Sequence, residues 1–305
     1  MTIPRVSGEQ NSAYGPAGDG PPETYPGGRR AFTFISLTFF GDDMASQGLR
    51  LTALGAIALA VPAARTAPTT MRYRIDQTLT QEVDGSAAGQ GKQSLTFTTA
   101  SFVTVTLTDS AGGKAMRVVV DSMRGDSATP IPPAVLDSAR GAVFQGFVTP
   151  QGRPTQLQPA ATNPPAATQI QGLVSDFYPW TRAGIRPGET WSDTSLVTTG
   201  QAPDTVTVRR VTRYHASANE TGDARPAVRV TTEYASEVAG SQPTESGSAR
   251  IEGTGGGKGS YLVSADGRYL GGEWELNSSL TLSGAFTPQP VPITLRQTTR
   301  VASLR

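Results

Sequence analysis

His215 is the only histidine in the 305 residues of the chain. One imidazole rules out a multi-histidine metal site and leaves a nucleophile a single choice of ring base. No Gly-x-Ser-x-Gly elbow occurs to present a serine. None of the three lysines, Lys92, Lys114 and Lys258, follows a serine at the Ser-x-x-Lys spacing. His215 therefore reads as a surface or hydrogen-bonded strand residue. Two pairs of acids each bracket a tryptophan: Glu273 and Glu275 around Trp274, and Glu189 and Asp193 around Trp191. Carboxylates in pairs beside an indole are the apparatus of glycoside cleavage, one acting as acid and the other as base or nucleophile. On a strand, however, positions i and i+2 share one face while the residue between them takes the other, so a solvated face explains the same pattern.

The segment EGTGGGKGSY, residues 252–261, has the glycine density of a phosphate loop without its grammar. Lys258 is followed by Gly259 where Ser or Thr is needed, Glu252 stands where the first glycine should be, and no helix pattern follows. Strand patterns flank it, which leaves a flexible hairpin connection or a bulged strand whose glycines admit a close neighbour. Cysteine is absent. Disulfides, thiolate metal sites, cysteine nucleophiles and a lipidated N-terminal cysteine are thereby excluded. The reading contains no catalytic residue, no metal ligand and no cofactor.

The elements that would position any site are mostly strands. Met71, Tyr73, Ile75, Leu79 and Val83 are all odd, with Arg72, Arg74, Asp76 and Glu82 between them, the alternation of a strand with one wet face. Leu95, Phe97, Val103, Val105 and Leu107 continue that parity, and Ala111-Gly112-Gly113 turns the chain into a third strand through Met116, Val118 and Val120. The middle differs. Pro132-Pro133 before AVLDSARG starts a short helix, Pro150-Gln151-Gly152 turns a hairpin, and Ile170, Leu173, Val174 and Phe177 have the i, i+3, i+4, i+7 spacing of a helix that stops before Pro179. The last third returns to strands. Arg209-Arg210-Val211 breaks the parity of one and predicts a bulge, Asp266-Gly267 marks a hairpin turn, and Leu270, Trp274, Leu276, Leu280 and Leu282 form one apolar face.

The expected fold is mainly β: a long-stranded, curved antiparallel sheet or half-barrel with one or two short helices over its open side. About three strands precede a helical insert at about 132–178, and about six follow it. Curvature is expected because long strands twist and pack poorly when flat. If the sheet curls, Phe97, Val105, Phe147, Tyr261, Trp274 and Leu276 converge on its concave face beneath a helical lid. That face is either a filled core or a cavity for a lipid or other hydrophobic ligand.

Residues 44–67, MASQGLRLTALGAIALAVPAARTA, contain a positive charge at Arg50, an uncharged run from Leu51 to Val61 and a Val-Pro-Ala small-residue site. These are the three parts of an export signal, with cleavage after Ala63. The run is too short to span a bilayer, which needs about 20 residues. The preceding 43 residues are dense in Gly, Pro and polar side chains and read as disordered or as an over-extended start. Arg29-Arg30 before TFISLTFF offers a twin-arginine alternative, opposed by Asp42-Asp43 after that run. Residues 64–305 then form a single β-rich domain that is released after signal removal to the periplasm or outside the cell. From Ala64 onward Lys and Arg number 22 against 20 Asp and Glu, without a basic stripe, so nucleic acid is not an expected partner.

This combination of export signal, curved-sheet pattern and the late hairpin GKGSYLVSADGRYLGGEWEL resembles the envelope lipid carriers of the LolA and LprG type. The chain is also similar to exported β-rich bacterial proteins with a PGETW-like element, here Pro187 to Trp191, before a long meander. The resemblance implies a curved antiparallel sheet closed by helices and a lipid ligand, and it assigns no residue a role. The missing lipidation cysteine departs from the LprG pattern. The leading expectation is a non-enzymatic envelope protein that binds or carries a hydrophobic ligand. The alternatives are an interaction module with a filled core and an envelope protein partner, and a carbohydrate-active enzyme using the paired acids.

Overall fold

The computed structural model describes residues 67–304 except 87–88, 90, 165, 223–224, 245–246 and 285–288. The expected export signal at 44–63 and the polar segment before it lie outside the described residues. Three strands open the fold: β1 (Thr69–Asp84), β2 (Lys92–Ser110) and β3 (Gly113–Gly125). The helices α1 (Pro133–Ser138) and α2 (Ala166–Val174) follow, with β4 (Val143–Val148) and the two-residue β5 (Gln158–Pro159) between them. Six strands complete the chain: β6 (Thr190–Gln201), β7 (Asp204–Gly222), β8 (Arg225–Thr244), β9 (Gly247–Ser264), β10 (Tyr269–Gly284) and β11 (Val291–Leu304). All eleven join one antiparallel sheet in the order β5-β4-β3-β2-β1-β11-β10-β9-β8-β7-β6. The first and last long strands thus meet at the centre, and the sheet is not closed into a barrel.

Open as it is, the sheet rolls. Flat, β4 and β6 would lie roughly 40 Å apart at the usual spacing between strands. Yet Arg153, in the turn after β4, donates to Asp193 of β6 at 2.9 Å and to the Thr194 carbonyl at 3.4 Å. Where the two edges approach, that turn also holds the segment after α2. The Trp180 indole donates to the Gln151 carbonyl at 2.7 Å, and the Thr181 amide donates to that of Gly152 at 2.9 Å. Gly152 has φ of +82°, and a Cβ there would meet the Thr181 carbonyl oxygen at 1.4 Å. Only glycine admits that approach.

The alternation read from β1 to β3 holds: Tyr73, Ile75, Val103, Val105, Val118 and Val120 are wholly buried on the inner face. Helix α1 packs on β3, and α2 on α1 and β5. With the segment that follows α2, they fill one end of the roll. Tyr73 stacks on Tyr269 at 5.3 Å, Phe177 and Tyr178 meet the pair edgewise or tilted, and the Tyr73 hydroxyl donates to the Tyr269 carbonyl at 2.9 Å.

Two local expectations change. Register between β7 and β8 runs unbroken through Arg209-Arg210-Val211, and the irregularity falls between Ala216 and Ala218. The arginines alternate faces like any strand pair, Arg209 exposed and Arg210 half-buried. In β10 a bulge between Tyr269 and Gly272, with Gly271 at φ +110°, shifts the register. The extra residue turns Tyr269, rather than Leu270, into the core, because a bulge reverses the faces of everything before it.

Candidate functional site

Cross-strand register sorts the inner face into rows. The row through Ile75 is largely apolar, passing Val301, Tyr261 and Val230. The next contains Gln77, flanked by Thr99 on β2 and Thr299 on β11, and runs on to Trp274, Tyr214 and Trp191. Two residues further along β1, Leu79 pairs with Phe97 and Gln297; two further still, Gln81 pairs with Leu95 and Leu295. Beyond them the rows are apolar again: Val83, Ile293 and Leu280, then Val291, Leu282 and Ile251. A belt of uncharged polar side chains on β1, β2 and β11 thus separates two apolar zones. The zone under the helices is the continuous core. The far zone is buried, with Leu280, Leu282, Ile293 and Val291 at 1 % exposure, but is not part of that core.

The belt is buried as well. Thr99 and Ser101 are 1 % exposed, Gln81 5 % and Gln77 9 %. Gln77 Oε1, Gln81 Nε2, Thr99 Oγ1 and Ser101 Oγ have no hydrogen-bond partner among the described residues. Thr299 differs, since it accepts from Gln297 Nε2 at 3.2 Å. Gln171 Oε1, Trp191 Nε1 and the Tyr269 hydroxyl are unpartnered in the same way elsewhere in the fold, so such atoms are not confined to β1 and β2.

The glycine-rich segment lies inside β9, so of its two readings the strand is right and the hairpin connection wrong. Gly253, Gly255, Gly257 and Gly259 form a side-chain-free column on the inner face, and their neighbours close over it. A Cβ on Gly257 would stand 2.0 Å from the Glu275 carbonyl oxygen and 2.4 Å from the Tyr234 hydroxyl. That hydroxyl crosses the column to donate to the same carbonyl at 2.5 Å. Burial pushes the Tyr234 phenol up to about 12. Burial acts alike on Tyr214, also raised to about 12, with Asp193 adding to the effect. The Tyr214 ring stacks on Trp191 at 5.2 Å, and Trp180 meets both edgewise.

The six expected ligand residues do not gather at one place. Val105 and Tyr261 are part of the core under the helices, with the Tyr261 hydroxyl donating to the Trp180 carbonyl at 2.6 Å. Trp274 packs against that core from the belt, and Leu276 follows it two residues on. Phe97 lies eight residues along β2 from Val105, roughly 26 Å. Phe147 takes the opposite face, opposite exposed Ala115, while Phe144 and Val148 supply the inner contacts of β4. The belt itself escaped the sequence reading. Its signal was present, because Gln77, Gln81, Thr99 and Ser101 occupy odd positions that are otherwise apolar.

The outer face bears an open groove of about 1100 Å³ across β6 to β11. Arg213, Glu233, Lys258 and Glu275 form one cross-strand row there with alternating charge. Alternation cancels the field and favours a solvated face over capture of an ion. Glu273 and Glu275 point outward with this row while Trp274 faces in, so indole and acids are on opposite sides of the sheet. His215 is exposed in the same groove. Among the described residues no group of acids or histidine is placed to hold a metal ion, and no helix is long and apolar enough to cross a membrane. No family model matches the chain, and a search of curated proteins finds no match.

Proposed function

We propose that this chain is an exported, non-enzymatic envelope protein that holds or carries a hydrophobic molecule against the inner face of its rolled sheet. The observation that carries the reading is the far apolar zone. Leu280, Leu282, Ile293 and Ile251 are shielded from water yet stand outside the continuous core that the helices complete. An inward apolar zone that the helices do not pack gives an acyl chain or similar ligand contact without any directional requirement once the roll opens to admit it. The export pattern of residues 44–63 supports a location in the envelope or beyond it.

The test is ligand content. Protein purified from its own host is extracted and analysed for lipid, and the delipidated chain is titrated with the apolar fluorophore N-phenyl-1-naphthylamine. Co-purifying lipid and saturable fluorescence are expected. Neither lipid nor uptake would overturn the carrier reading and leave the interaction module, which one observation favours: the helix end of the roll is already packed solid by Tyr73, Phe177, Tyr178 and Tyr269. For export, sequencing the N-terminus of the secreted protein is expected to begin near Ala64. A mature chain starting well before residue 60 would reject the proposed cleavage.

A further inference from the structure

We infer that β6 is a docking edge at which two copies of this chain join their sheets, β6 antiparallel to β6. The two edges of the sheet are built differently. At one side β5 stops after two residues, one of them Pro159, and a short, proline-bearing strand is how folded proteins blunt an edge against further pairing. At the other side β6 runs for twelve residues in unbroken register against β7, without bulge, proline or lysine. Its one charged residue, Asp193, is already paired with Arg153. Residues 195–201, Ser-Leu-Val-Thr-Thr-Gly-Gln, carry no charge.

The backbone of that stretch is aimed outward. Thr194 gives its carbonyl to Arg153 rather than to β7. In an antiparallel ladder each residue turns its N–H and C=O to the same side, and the side alternates along the strand, so Leu196 and Thr198 also present theirs at the open edge. Their side chains are exposed on the outer face, and Leu196 is the one large apolar side chain exposed among the described residues, at 67 %. A single exposed leucine is ordinary by itself. Midway along an unblunted edge, it adds apolar contact to a row of hydrogen-bonding groups. A second copy is the occupant that fits. A twofold axis sets β6 antiparallel to itself, and an uncharged strand meets its own image with no like charges opposed. The same lack of charge leaves nothing with which to select a foreign strand or to reject an identical one. Arg153 and its turn occupy the edge beside Asp193 and Thr194, so the pairing runs over residues 195–201.

The experiment is sedimentation equilibrium of the full chain, joined to hydrogen exchange at low and high protein concentration. The parent is expected to form a reversible dimer, and the amides of Leu196 and Thr198 to exchange at least tenfold more slowly once it does. Leu196→Lys puts a charge on the edge that its own image repels, and Thr198→Pro removes an outward N–H that β7 does not use. Each is expected to weaken the dimer at least tenfold, whereas Ser94→Lys, at an exposed position of β2 across the sheet, leaves it unchanged. Circular dichroism confirms that each variant is folded; should Thr198→Pro not fold, Leu196→Lys decides alone. A parent that stays monomeric overturns the inference, even if a foreign extended peptide then protects the two amides. A dimer that leaves both amides unprotected, or that survives Leu196→Lys, overturns it as well.

Discussion

Arg229 donates two hydrogen bonds to Glu220, at 2.5 and 2.6 Å, and these hold the glutamate carboxyl below its ordinary 4.5 against the opposing effect of burial. A carboxyl with a lowered value in the folded state stabilises the fold above its unfolded value, and that contribution disappears as pH falls through the folded one. Glu220→Gln is therefore expected to melt slightly below the parent at neutral pH, with the two curves converging below about pH 4. Thermal melts across acid pH check this; a difference independent of pH would refute it. Burial raises Tyr178, Tyr214 and Tyr234 to about 12, and Tyr261 and Tyr269 well above their usual value. In the unfolded chain these phenols ionise near 10, so stability is unaffected below that pH and declines as pH rises from there toward the folded values. An alkaline absorbance titration is expected to leave these five protonated at about pH 11 while the fold persists. At this scale the sequence was a partial guide. Residue types excluded multi-histidine and thiolate metal sites and cysteine nucleophiles, but the bonding of Glu220 or the burial of Thr99 depends on neighbours from other strands.

Strand parity carried most of what could be read at the scale of elements, because burial on one face of a sheet imposes a period of two. It failed where a single extra residue intervened. Leu270 had the parity of Trp274 and Leu280, but the bulge at Gly271 gives the inward place to Tyr269. Tyr269→Ala should consequently cost about 3–5 kcal/mol and Leu270→Ala far less; urea unfolding measures both, and similar losses would reject the bulged register. Gly257 offers a second test. A side chain there collides with the Glu275 carbonyl and the Tyr234 hydroxyl, so Gly257→Val is expected to lose about 1–3 kcal/mol by overpacking. A neutral result would mean that Tyr234 does not cross β9. The glycine cluster was visible in the sequence, yet its strand setting followed only from the pairing of β9 with β8 and β10.

Across the whole molecule, the roll depends on contacts between residues far apart in the chain. Arg153 joins the turn after β4 to β6 through Asp193, with its own side chain 44 % exposed and that of Asp193 19 %. An ion pair so wet adds about 1 kcal/mol or less. Arg153→Ala is therefore expected to change overall stability little but to speed hydrogen exchange in β6, leaving central β1 unaltered; unchanged β6 exchange would show that this contact does not hold the seam. Period-two patterning, turn glycines and the helical spacing around Ile170 determined the fold class from the sequence alone, because each reports a local choice of backbone and wet face. The export pattern and the missing chemistries were equally local. The tertiary structure decided the strand order that brings β1 beside β11, the approach of the two edges, and the division of the inner face into core, polar belt and far apolar zone. Those features arise from register among strands up to 232 residues apart, as Arg72 opposite Leu304, and no short-range pattern encodes which rows will align.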